Sequence, residues 1–216
     1  PTIVAVDSTA PVDYSWLVDQ KNVAAILHMT YSAGTDHGSA MGRFIVSTDP
    51  GVLADMLFGR AEPSGKLAQE MPRSAAQVSE QWGDVPFDLG ATLDDRMEIV
   101  GAIRAGKPVP INLGDPLFMY NYGMQYGLRP EFSYSTLVVP KTVKSGQPFV
   151  VSCLLENNGW DGYTRVEVYD GAQLIGSKFV AVNGGISRTV DVEVVLTVPG
   201  VHTIKVGPVS GQVEVK

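Results

Sequence analysis

The sequence predicts two folds in series, α/β plus all-β. Residues 1–128 read as a partial α/β sandwich with a mostly parallel sheet. Residues 129–216 read as an antiparallel β-sandwich. Three observations carry this. The apolar runs Thr2–Val6 and Val23–Leu27 lack polar alternation and are separated by helical signals. Strands of that kind belong to a parallel sheet covered on both faces. From about Glu131 the texture changes to short alternating runs with turn signals between them. About seven such strands over the last ~85 residues fit a sandwich of immunoglobulin or fibronectin type.

The elements follow in order. Thr2–Val6 is a buried strand. Asp13 is placed to cap a short helix running to Gln20, with Trp16 and Leu17 facing inward. Val23–Leu27 is the second strand, followed by a polar loop from Thr30 to Ser39. Asp49 is a good N-cap, Pro50 suits the first helical position, and Gly59 lies just past the end. Leu53, Met56 and Leu57 then share one helix face. Pro63-Ser64-Gly65 turns the chain into Lys66–Met71. Thr92–Asp95 resembles a capping box, and Leu93, Met97, Val100 and Ile103 form the stripe of a helix ended by Gly106 and Pro108. An aromatic-rich stretch from Asp115 to Tyr126 approaches the boundary. Strands are expected near 134–139, 149–156, 164–169, 173–181, 187–196, 201–206 and 211–215. Asp170-Gly171 between apolar runs is a hairpin signal.

Composition bounds the function. Of 216 residues, 44% are hydrophobic and 18% charged, which describes a globular chain rather than a disordered one. The net charge of −7 argues against nucleic acid and anionic membranes as partners. No apolar run approaches the ~20 residues of a spanning helix. The chain opens at Pro1 inside a strand-like run, so a processed product or a piece cut from a longer chain is expected. Cys153, the single cysteine, lies in an apolar strand run and reads as structural.

Candidate chemistry is sparse. Gly-x-Ser-x-Gly and the phosphate loop are both absent, so a free-standing small hydrolase finds no motif. Ser64-Gly65 serves turn geometry, and Glu62 and Lys66 flank that turn in exposed or salt-bridged roles. His28, His37 and His202 have no metal-ligand spacing. His28 reads as a core histidine. Trp82, Trp160, Tyr120, Tyr122 and Tyr126 could stack on a ligand ring. The three tyrosines lie at the boundary, where packing between domains is the favoured role. An exposed Trp160 would support ligand or partner binding.

Several segments resemble one family in order. "LADMLFGRAEPSGKL" at 53–67 carries a helix ending in Leu-Phe-Gly, then x-Pro-Ser-Gly-Lys-Leu. "PTIVAV" with "APV", "VAAILHMTYSAGTDHGSA", "VPFD", "DPLF" and "YNYGMQYG" accompany it. Together they resemble the C-terminal sandwich domain of glycoside hydrolase family three over residues 1–128. Insertions fall near 43–50 and 90–112. Asn121 stands where that family has glycine, and Met124 where it has leucine. The tail resembles a CARDB-like or fibronectin-like sandwich.

The resemblance implies a retaining exo-β-glycosidase, foremost a β-glucosidase, acting on terminal β-linked sugars with no metal or organic cofactor. Its nucleophilic Asp would lie on an N-terminal TIM barrel and its acid/base Glu upstream of Pro1, so no catalytic residue is carried over. Asp36 and His37, in a Gly-flanked loop, could edge the substrate pocket. The N-terminal barrel is the implied partner, and the terminal sandwich would buttress it or carry homodimer contacts. Family members are exported to the periplasm or exterior, or cytoplasmic, with export slightly favoured. The alternative is a carbohydrate-binding or adhesion module without activity.

Overall fold

The structure, a computed structural model, describes residues 1–8, 11–29, 33–35, 44–46, 50–67, 70–74, 105, 110–111 and 115–216. Strands dominate. In the first part β1 (Thr2–Asp7) pairs in parallel with β2 (Val23–Met29), and α1 (Ser15–Val18) joins them. Asp13 accepts hydrogen bonds from the Ser15 amide and hydroxyl, but the N-cap is Tyr14, which makes no side-chain cap bond, and the helix ends at Val18 rather than Gln20. Leu17 is buried, but Trp16 is 63% exposed and faces outward, against expectation. A four-residue helix presents only one position to the sheet, and Leu17 takes it.

The strands β3 (Ala33–Thr35) and β4 (Phe44–Val46) form an antiparallel pair. Helix α2 (Pro50–Leu57) ends as the glycine predicts. Gly59 has φ of 70°, its amide bonds Met56 O, and the Arg60 amide bonds Asp55 O. That pair of bonds is a Schellman close. The helix expected from Thr92 to Gly106 lies outside the described residues. Among the described residues of this part the sheets are one parallel and one antiparallel pair.

The sandwich follows the alternation closely. One sheet runs β10-β9-β12-β13-β7, the other β5-β11-β8-β6. The strands are β5 (Pro110–Ile111), β6 (Phe132–Val138), β7 (Thr142–Val143), β8 (Pro148–Asn157) and β9 (Gly162–Asp170). The rest are β10 (Gln173–Val182), β11 (Ile186–Val195), β12 (Gly200–Val206) and β13 (Val209–Val215). All seven expected strands are present. The sheets are mixed rather than purely antiparallel, because the two-residue strands β5 and β7 add in parallel to β11 and β13.

Alternate residues face inward and form the core: Val151, Cys153 and Leu155 from β8, Val166 and Val168 from β9, Val190, Val192 and Val194 from β11. Burial raises the Cys153 thiol to about 11, in keeping with a structural role. A second core gathers Tyr14, Leu17, Met71 and Leu117, with Phe179 of β10 packed against it. Met119 joins the sandwich core in return. The two cores therefore exchange side chains across the junction.

Candidate functional site

The junction is organised by two carboxylates and one amide. Asp115, at φ 60°, precedes the buried Pro116-Leu117. Its carboxylate accepts from Arg188 Nη2 at 2.7 Å and Arg73 Nη2 at 3.2 Å, and also pairs with Lys178 Nζ. Arg188 is 1% exposed and donates further to Pro116 O at 2.6 Å and Ala181 O at 3.1 Å. Burial lowers its pKa to about 10, while Asp115 opposes that loss of charge. Arg73 reaches across to Phe179 O at 2.9 Å.

Asp161 forms the second knot. Its Oδ1 accepts the Gly184 amide at 2.8 Å, and its Oδ2 accepts the Gly123 amide at 2.9 Å and Lys66 Nζ at 2.8 Å. Lys66 also donates to Gly123 O at 2.6 Å. A Cβ on Gly123 would lie 2.5 Å from Gly65 O, so glycine is what lets the two turns touch. Asn157, buried at the end of β8, uses all its capacity. Its Oδ1 accepts the Glu131 and Gly159 amides, and its Nδ2 donates to Val182 O and Trp160 O.

Asp115 and Asp161 thus spend their lone pairs on structural donors, and the network links segments that border the two cores. Among the described residues no group of three or more His, Cys, Asp or Glu side chains could hold a metal ion.

The sequence-predicted residues are distributed as follows. Asp36, His37 and Trp82 lie outside the described residues. Glu62 and Ser64 are exposed, and Lys66 is salt-bridged to Asp161. His28 is half-buried and hydrogen-bonds the Tyr14 hydroxyl, whose pKa burial raises to about 12. Tyr122 is buried against Phe118, with centroids 5.2 Å apart, and burial raises its pKa strongly. Tyr120 and Tyr126 are exposed, though the Tyr126 hydroxyl donates to Met56 O at 2.7 Å. The packing role expected of all three tyrosines is therefore filled fully by Tyr122 alone. Trp160 is 54% exposed.

Arg188, Asp115, Asp161 and Asn157 escaped the sequence reading. One signal was present for Arg188. It occupies the inward register of Ile186, Val190 and Val192, and a charge there demands a buried partner.

Residues 1–126 match the glycosyl hydrolase family 3 C-terminal domain, and the chain belongs to that family. It is 27% identical over 187 residues to a probable beta-glucosidase M of Aspergillus niger, covering 80% of this chain and 21% of that protein. It is 29% identical over 159 residues to the thermostable beta-glucosidase B of Acetivibrio thermocellus, covering 73% and 18%. A solved beta-glucosidase from Listeria innocua is 22% identical and covers 100% of this chain and 31% of its own, with a TM-score of 0.34. The chain spans about a fifth of the length of the curated relatives it matches.

Proposed function

We propose that this chain is the non-catalytic C-terminal part of a retaining exo-β-glycosidase, a β-glucosidase that releases terminal β-linked sugars. The family match over residues 1–126 carries the reading. In this proposal residues 1–128 are the C-terminal portion of an α/β sandwich whose sheet is mostly parallel. Residues 129–216 are a fibronectin-like β-sandwich. The nucleophile and the acid/base, about 5–5.5 Å apart in a retaining site, lie upstream.

The bare face of the β1–β2 pair supports the reading. Val4, Val6, Val23 and Ile26 pack on α1 and its neighbours, whereas Ile3 is 48% exposed and Ala5 and Ala25 are open. A parallel pair expects cover on both faces, and further sheet and a barrel domain would supply it. Asp36 and His37 are assigned to the rim of the substrate pocket, facing that barrel. The polar knots at Asp115 and Asp161 tie Arg73 and Lys66 to the terminal sandwich. Placement matters because misplacing a binding group by about 1 Å costs about 100-fold in rate.

The test is hydrolysis of an aryl β-glucoside. The 216-residue chain alone is expected to give no turnover, and the longer reading frame containing it is expected to be active. Turnover by the pure chain would overturn the proposal. One observation favours a second reading, a saccharide-binding or adhesion module: the exposure of Trp160. A stand-alone reading frame would favour that account.

A further inference from the structure

We propose that the sandwich carries a saccharide-binding cleft of its own, formed where strand β12 stops short along β9. The proposal stands on this cleft and needs no catalytic half. β12 pairs with β9 only from Val168 to Asp170. Beyond Val206 the chain turns away through Gly207, and Gly162–Glu167 of β9 have no partner from β12. The gap opens a cavity of about 420 Å³ lined by Tyr134, Arg165, Glu167, Tyr169, Lys205 and Gly207, among others.

The register explains the lining. Arg165, Glu167 and Tyr169 alternate with the buried Val166 and Val168, so all three point to the outer face of the sheet. Lys205 sits directly across from Tyr169. Gly207, at φ 52°, has no side chain to fill the gap. A Cβ there would strike the Tyr134 ring at 2.9 Å. The half-buried Tyr134 of β6 reaches the cleft because that position is glycine.

The chemistry selects a neutral polyhydroxylated ring over an ion. Arg165 is already paired with Asp19, and the Glu167 carboxylate offsets the Lys205 ammonium. No surplus charge is left to select an anion. Tyr134 and Tyr169 line the cleft together with the polar groups of Arg165, Glu167 and Lys205. A sugar has the complementary shape, a face of C–H groups edged by hydroxyls. The Tyr169 hydroxyl donates to Glu167 Oε2 at 2.6 Å, which holds the two wall groups together before a ligand arrives. The volume falls within the usual range of small-molecule sites, about 300–1,000 Å³.

The experiment is an amide-shift titration of the isotope-labelled chain with cellobiose, and separately with inorganic phosphate. Saturable shifts with cellobiose at millimolar concentration are expected on Glu167–Ala172 and Lys205–Gly207. Tyr169→Ala is expected to weaken binding about tenfold, the loss of one stacked ring. Lys205→Ala, at an exposed position that leaves the core untouched, is expected to weaken it as well. Trp160→Ala is expected to leave it unchanged. No saturable shift with cellobiose, shifts abolished by Trp160→Ala instead, or a response to phosphate alone would each overturn the proposal.

Discussion

Arg188 is a residue whose value depends entirely on its neighbours. A guanidinium with 1% exposure is costly to bury unless its donors are all answered. Asp115, Pro116 and Ala181 accept three hydrogen bonds from it, and Asp115 supplies the opposing charge. Asp115 is therefore the residue to probe, and asparagine is the cleanest replacement because it tolerates the left-handed backbone found there. Asp115→Asn keeps the shape and removes the charge that faces Arg188, Arg73 and Lys178. It is expected to lower stability by about 3–5 kcal/mol, read from urea unfolding. A loss below about 1 kcal/mol would mean that water or another group already neutralises Arg188.

At the scale of elements, β12 is tied to its surroundings by His202. Nδ1 lies 2.7 Å from Asp170 Oδ2 at the end of β9, and Nε2 lies 2.8 Å from Val198 O. Both partners are acceptors, so only the imidazolium can donate to both. The hydrogen bond to Asp170, and then that to Val198, raise the His202 pKa above its ordinary value. The sign follows from linkage. A raised folded-state pKa gives stability that is fully present below the unfolded value, about 6.5, and is lost as pH rises through the folded value. The gap in urea midpoint between the parent chain and His202→Gln should therefore be widest near pH 5.5 and should narrow by pH 8.5. A gap that is constant or widens with pH would show that the contact is made by neutral imidazole.

At the scale of the whole molecule, the described residues form two cores joined by a polar seam. Phe179 crosses into one core and Met119 into the other, and Asp161 clamps the turns at Gly65-Lys66, Gly123 and Gly184. Asp161→Ala strips three donors of their acceptor and is expected to cost about 2–3 kcal/mol. The loss should be local. Hydrogen exchange is expected to rise at Lys66-Leu67 and Met119–Gly123 while β8, β9 and β11 keep their protection. Equal deprotection of those strands would show that the seam and the sandwich unfold as one unit.

The strands of residues 132–215, the turn at Asp170-Gly171, the close of α2 at Gly59 and the family are all legible in the chain read in order. Alternation, turn chemistry and helix capping act over a few neighbouring residues, so they can be read in order along the chain. Only the tertiary structure decided that Arg188 meets Asp115, that Asp161 meets Lys66, that Trp16 faces outward, and that β12 stops short and leaves a cleft. Such pairings join segments far apart in the chain, 95 residues for Lys66 and Asp161 and 106 for Arg73 and Phe179. They depend on how two cores dock, and no local pattern encodes which carboxylate a buried cation will find.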